Sequence, residues 1–198
     1  MSKIALKPSN SGTATFTIEA PATNTNRVLE LPDEAGKILT DVGVPTSAMP
    51  AGSVLQVVQA VKTDFFTTSS TSFVDITGFS VSITPSSASN RILVISHIHA
   101  GNSATGQETR FLLRRDLNNI FLPTVGTARN QTLTTGNLGS TSNVQNMACT
   151  FLDSPNTTSA VTYSYQIAVT AGTARFNGRG DGEFSGNTSS ITLMEIAA

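Results

Sequence analysis

The sequence predicts an all-β protein: an antiparallel β-sandwich, jelly-roll-like, preceded by a small extended N-terminal β segment that intertwines or docks. Three observations predict it. Apolar residues recur with period two in one segment after another, turn-forming residues separate those segments at short intervals, and no stretch repeats apolar residues at i, i+3, i+4 and i+7 for three turns. Charged residues make up only 13% of the 198 residues, against about 25% in an ordinary domain. Ser (23) and Thr (29) take their place. Thr suits a pleated surface and Ser suits turns, so the composition supports strands with an uncharged hydrophilic exterior.

The clearest strand is Val161 to Thr170. Val161, Tyr163, Tyr165, Ile167 and Val169 share one face, and Thr162, Ser164, Gln166, Ala168 and Thr170 share the other. Phe79, Val81 and Ile83 alternate with Ser80, Ser82 and Thr84 in the same way, and Ile191 and Leu193 alternate with Thr192 and Met194. Each reads as a half-buried antiparallel strand. Turn signals lie at Thr84-Pro85-Ser86-Ser87, Asp116-Leu117-Asn118-Asn119, Asp153-Ser154-Pro155-Asn156 and Ala171-Gly172. Strands are expected near 54–62, 72–76, 79–84, 91–99, 108–115, 118–122, 146–152, 160–170, 173–177 and 190–197. Two stretches, 53–62 and 91–100, are apolar on both faces. Either they are central strands covered twice, or they present one face to a neighbouring subunit.

The prolines and glycine of Pro45 to Gly52 mark a linker over 45–52, which divides an N-terminal segment, 1–44, from a sandwich domain, 53–198. The N-terminal segment holds few large apolar residues, chiefly Phe16, Ile18, Val28, Leu29, Leu31, Ile38 and Leu39. So short a segment cannot bury enough surface to fold alone. It is expected to bury those side chains against copies of itself or a docking partner.

Net charge is -1. Nucleic-acid binding and attraction to an anionic membrane both need a basic excess, so neither is expected. No apolar run reaches the roughly 18 residues that would cross a bilayer. The N-terminus is too polar for a secretory signal, so synthesis in a cytoplasm is expected. The single cysteine, Cys149, allows no intrachain disulfide and reads as a small buried hydrophobe.

Gly12-Thr13-Ala14-Thr15-Phe16-Thr17-Ile18-Glu19-Ala20-Pro21, Asn24-Thr25-Asn26-Arg27-Val28-Leu29-Glu30-Leu31-Pro32-Asp33 and Gly36-Lys37-Ile38-Leu39-Thr40 resemble a segment of bacteriophage tail fibres and related virion appendages, those of cyanophages included. The later stretches Gly52-Ser53-Val54-Leu55-Gln56-Val57-Val58-Gln59, Ser72-Phe73-Val74-Asp75-Ile76-Thr77-Gly78, Ser82-Ile83-Thr84-Pro85 and Ser190-Ile191-Thr192-Leu193-Met194-Glu195-Ile196 are similar to the distal domain of such proteins, in the same order. The resemblance implies a virion structural protein made in a bacterial host cytoplasm. It implies a homotrimer whose N-terminal part meets other virion proteins through residues 1–44 and whose β domain points outward. Such fibres commonly carry a long shaft. Here the two parts are nearly adjacent, which leaves a short fibre of tail, collar or head, or a capsid decoration protein that stabilises the shell mechanically.

Candidate chemistry is sparse, and no cofactor is implied. His97 and His99 lie two apart on a strand and so share a face. Copies gathered at a threefold axis could hold a metal there. Asp181 and Glu183 lie in the glycine-rich stretch Gly178-Arg179-Gly180-Asp181-Gly182-Glu183. Two carboxylates can serve glycoside hydrolysis or bind calcium, but a glycine loop mounts a catalytic pair poorly, and the chain has no Trp to stack on a sugar. Arg179-Gly180-Asp181 reads as a glycine-permitted turn with a local charge pair. Arg110 and Arg114 share a strand face with Leu112, and Arg115 is expected to pair with Asp116 or with a carboxylate on a neighbouring strand. Arg110, Arg114, Arg179 and Asp181 are the candidates for receptor contact. The loops expected to bind are 101–107, 125–143 and 178–188, and the polar, amide-rich surface suits a host-surface glycan. The expected protein is a structural or binding part, not an enzyme.

Overall fold

The computed structural model describes residues 48–124, 134–137, 139–182 and 186–198. They form eleven strands: β1 (Val54–Lys62), β2 (Phe66–Thr68), β3 (Val74–Ile83), β4 (Arg91–Asn102), β5 (Glu108–Arg115), β6 (Asn118–Ile120), β7 (Thr134–Asn137), β8 (Gln145–Asp153), β9 (Val161–Val169), β10 (Ala174–Phe176) and β11 (Ser189–Ile196). The expected all-β class is found.

The strands make two antiparallel sheets. In the first, β4 is the axis. β8 runs beside it from Ile92 to Ala100. On its other side β11 pairs with Arg91 to His97 and β10 with Ala100 to Asn102. β1 adds outside β11, and β2 outside β10. In the second sheet β9 lies between β3 and β5, and β5 pairs on its far side with β7 and then β6.

Set aside the three-residue strands β2, β6 and β10, and eight remain. The first pairs with the last (β1 with β11), the second with the seventh (β3 with β9), the third with the sixth (β4 with β8) and the fourth with the fifth (β5 with β7). A single antiparallel ribbon has been doubled and wrapped into two layers, which is the jelly roll.

Alternation decides which side chains fill the space between the layers. Tyr163, Tyr165, Ile167 and Val169 of β9 are fully buried, as are Ile191 and Leu193 of β11 and Ile92 and Val94 of β4. Phe79 of β3 sits at the centre, 4.9 Å from the Phe176 ring and 5.8 Å from the Tyr165 ring. Cys149 belongs to this core, as its apolar neighbours suggest. Both tyrosines cross between the sheets. The Tyr165 hydroxyl meets Ser96 Oγ of β4 at 2.6 Å, and the Tyr163 hydroxyl donates to Asp153 of β8 at 2.7 Å. Burial raises the Tyr163 pKa far above that of an ordinary phenol, and the adjacent carboxylate adds to it. Arg115 of β5 donates to the same Asp153 oxygen at 2.7 Å. The expected partner was Asp116 or a carboxylate on a neighbouring strand; the partner found is neither, because Asp153 stands on β8 of the opposite sheet, and the pair clasps the two sheets.

Two expectations differ from the structure. Segments 72–76 and 79–84 form one bent strand, β3. Gly78 takes a φ of 75°, and between Asp75 and Ser80 five steps along β3 lie beside two along β9. Glycine permits this irregularity, so a break in alternation became a bulge and not a strand end. β2 was not expected, because three residues are too few to show a period.

Candidate functional site

The wrapped ribbon sends successive connections to opposite ends of the sandwich. At one end, here the foot, the chain enters: Gly52 N donates to Ala197 O and Ala197 N to Ser53 O, both at 2.9 Å. The turns 84–90 and 154–160 are at the foot as well. At the other end, the crown, lie the connections 63–73, 103–107, 139–144, 170–182 and 186–188, by the strand directions that the pairings impose. Of the expected binding loops 101–107, 125–143 and 178–188, the parts 103–107, 139–143, 178–182 and 186–188 thus arrive at one pole, while 101–102 end β4 and 134–137 form β7. The parts 125–133, 138 and 183–185 lie outside the described residues.

Hydrogen bonds staple the crown together. Ser103 N donates to Thr173 O at 3.0 Å, and Thr173 N to Ser103 Oγ at 2.9 Å. Asn102 Oδ1 accepts from Ala104 N at 2.9 Å, while its amide reaches Thr109 Oγ1 and Ala171 O, each at 3.2 Å. Asp181 N donates to Thr141 O at 2.9 Å, tying the glycine-rich stretch to the 139–144 turn. That stretch is held close, and its glycines serve contact as well as conformation. A Cβ on Gly180 would lie 1.9 Å from Asn102 O, and one on Gly101 would lie 2.4 Å from Gly180 N. Only hydrogen fits at either position.

Each expected site residue has a defined place or lies outside the described region. Arg179 and Asp181 are ion-paired with each other and partly exposed, so the triplet closes on itself as a local charge pair. Arg110 is only 7% exposed. Its guanidinium stacks 5.7 Å from the Phe73 ring and faces Thr71 O and Val169 O at 3.4 Å, which fastens the segment before β3. Arg114 donates to Leu117 O at 2.8 Å and pairs with Asp75 at 3.2 Å. These two arginines are engaged with the fold of β5 and its neighbours.

His97 and His99 share the outer face of the first sheet, as their spacing implies. His97 is exposed. The His99 ring is engaged at both nitrogens: Nδ1 lies 2.9 Å from Thr188 O and Nε2 lies 3.2 Å from Asn146 Nδ2. A neutral ring with its proton on Nδ1 satisfies both contacts. Among the described residues no group of three or more His, Cys, Asp or Glu is placed to hold a metal. Glu183, Phe16, Ile18, Val28, Leu29, Leu31, Ile38 and Leu39 lie outside the described residues.

Sequence reasoning missed two buried polar centres. Asn177, fully buried with a φ of 63°, ties the crown. Its amide donates to Lys62 O at 2.8 Å and Asp64 O at 3.1 Å, its Oδ1 accepts from Ser189 Oγ at 2.6 Å, and its backbone N donates to His99 O at 2.7 Å. Glu195, 1% exposed, ties the foot. It accepts from Gln56 Nε2 (2.6 Å), Asn90 Nδ2 (2.6 Å), Ser86 N (2.7 Å) and Ser86 Oγ (2.8 Å). Burial alone raises the pKa of this carboxyl. The hydrogen bonds from Asn90, Gln56 and Ser86 outweigh burial and hold it below the ordinary carboxylate value. A signal existed: Glu195 stands in phase with Ile191 and Leu193, the inward side of its strand.

No family model and no curated protein sequence matches the chain. Solved structures of viral proteins are similar to it. The structure of infectious bursal disease virus, Gt strain, is 15% identical with a TM-score of 0.39 over 83% of this chain and 42% of that one. A mutant VP2 protein of the same virus, in derived T=1 particles, is 17% identical with a TM-score of 0.36 over 72% and 36% of the two chains. The VP2 subviral particle is 16% identical with a TM-score of 0.34 over 74% and 39%. The chain spans about two fifths of the length of these viral proteins.

Proposed function

We propose that the chain is a virion structural protein of a bacteriophage: a short homotrimeric fibre of tail, collar or head, with no enzymatic activity. Residues 1–44 hold it to other virion proteins, and the crown of the sandwich contacts a host-surface glycan. One observation carries this reading. The chain enters the sandwich at the foot, while the loops 103–107, 139–144 and 178–182 converge at the opposite pole. An anchor at one end and a stapled loop platform at the other is what an attachment protein needs. The order of the fibre-like stretches along the sequence supports it. So does the chemistry of the crown, where Arg179 is paired with Asp181 and Asp64 with Lys62, and the loops 103–107 and 139–144 carry hydroxyls and amides but no charge. Such a surface suits uncharged sugar hydroxyls better than it suits a phosphate or a basic peptide.

The test uses the full chain, fluorescently labelled and incubated with host cells. Adsorption is expected to fall at least tenfold when surface carbohydrate is oxidised with periodate, and also in the double variant Arg179→Ala, Asp181→Ala, with the oligomeric state unchanged. Adsorption indifferent to both treatments overturns the receptor role. If particles lacking the chain also lyse more readily, the capsid decoration reading replaces it. New reducing ends in the polysaccharide overturn the non-enzymatic reading.

A further inference from the structure

Part of the outer face of the first sheet, across β1, β11, β4 and β8, is open and carries an apolar rung followed by two without carboxylates. Its rungs follow from the pairings. Val57 lies opposite Met194, Met194 opposite Leu93, and Leu93 opposite Leu152, so one apolar rung crosses four strands. The next rung holds Ile95 between Thr192 and Thr150, and the third carries Val61 at its β1 end. Val57 and Val61 are each 54% exposed and Leu152 is 36% exposed. The expectation that 53–62 and 91–100 are apolar on both faces is met, and the outward face is the open one. No Asp or Glu stands on these three rungs, and His97 is their only ionisable group.

We propose that this face is where the sandwiches of neighbouring copies of the chain pack together. The inference rests on the homotrimer of the proposed function and names the surface through which its outer domains meet. Two arguments select a second copy as the occupant. The first is charge. These three rungs lack carboxylates and have His97 as their one ionisable group, with Arg91 one rung beyond Leu93 at their edge, so they offer an acidic or basic partner little to pair with, yet they meet a copy of themselves without like-charge repulsion. Depletion of charge is the mark of an interface centre. The second is area. Strands spaced about 4.8 Å apart and rungs about 7 Å apart make a patch of only about 300 Å². A free-standing interface needs about 800 Å² per partner, so the face is too small to join untethered molecules. The linker removes that requirement. Eight residues, 45–52, span at most about 28 Å and lead directly into β1, the strand that carries Val57 and Val61. Copies joined through residues 1–44 hold their sandwiches at an effective millimolar concentration, where a weak apolar patch is enough.

The test places a nitroxide on Leu152→Cys in the full chain, in a Cys149→Ala background. It reads label–label distances by pulsed electron resonance beside the molar mass from light scattering. Facing sheets pack about 10 Å apart over a face about 14 Å wide. The expected result is a trimer with a narrow population below roughly 30 Å, and loss of that population in Val57→Asp, Val61→Asp with the trimer retained. Both valines are half-exposed, so the double variant folds. A trimer with only long, broad distances overturns this inference and leaves the homotrimer standing. Short distances that survive the aspartates also overturn it, because the contact then lies elsewhere. A monomer at all concentrations overturns the inference and the homotrimer together.

Discussion

Replacing Glu195 isolates the polar centre at the foot of the sandwich. In Glu195→Ala four hydrogen bonds lose their acceptor. Gln56 keeps its bond to Thr84 O, and Ser86 Oγ keeps its contact with Asn90. Asn90 Nδ2 and Ser86 N lose their carboxylate partner. Ser86 is exposed and its N–H can turn to water, so the buried Asn90 amide is the donor left short. A stranded buried donor costs roughly 1–3 kcal/mol, and the variant should lose about 2 kcal/mol. For a sandwich of this size that lowers Tm by roughly 4–8 °C. Glu195→Gln keeps one oxygen for Asn90 and Ser86 but turns an NH₂ toward Gln56 Nε2, and about half that loss is expected. The pH dependence fixes the sign. The folded carboxyl has a lowered pKa, so its contribution is fully present above the unfolded value of about 4.3 and is lost as pH falls through the folded value. Wild type and Glu195→Gln should therefore converge in stability on acidification from pH 7. The assay is thermal unfolding by circular dichroism at pH 7, 5, 4 and 3. A Glu195→Ala melt within about 1 °C of wild type at pH 7 would falsify the network's role. A gap between wild type and Glu195→Gln that is constant from pH 7 to 3 would remove the carboxylate charge from the explanation.

Two more substitutions separate contact from conformation. Gly180→Ala drives a methyl into Asn102 O and should cost about 2–3 kcal/mol, with faster amide exchange at Asp181 as the crown loosens. Gly139→Ala meets no atom within 4 Å and should melt within about 0.5 kcal/mol of wild type, and equal effects at the two sites would refute close approach as the reason for Gly180. At the sheet-to-sheet clasp, Tyr163→Phe removes one bond to Asp153 and should cost about 1 kcal/mol. Arg115→Met leaves Asp153 without its cation and should cost more, and denaturant unfolding of the two variants checks that order.

Strand positions were legible because burial on one face writes itself as alternation. β9 shows it best: every inward residue from Val161 to Val169 was apparent from the sequence, and each is buried. What alternation cannot show is which strand lies opposite. Arg115 illustrates this: Asp116 or a carboxylate on a neighbouring strand was expected, and the wrapping instead brought β5 over β8 with Asp153 from the opposite sheet. The partners of Glu195 lie in a turn more than 100 positions earlier. The glycines of 178–182 were visible, but their purpose depends on Asn102, nearly 80 residues away. Arg110 and Arg114 looked like surface groups because the outer face of β5 reads as polar. Phe73, Asp75 and the carbonyls around them occupy those guanidinium groups.

The wrapped ribbon makes its two poles structurally separable. Its long strands, of eight to twelve residues, put about 30 Å between foot and crown. The two poles have different polar centres, Glu195 with Asn90 and Ser86 at one, Asn177 with Ser189 at the other, and the two share no residue. Changes on crown loops therefore reach the foot only through global stability, since substitutions more than about 10 Å apart with no common partner act additively. Substitutions on the exposed crown loops are expected to leave the pairing of β1 with β11 unchanged. The arrangement asks little of the crown loops except that Gly101, Gly180 and Asn177 stay, because those three hold the platform on which the remaining side chains vary.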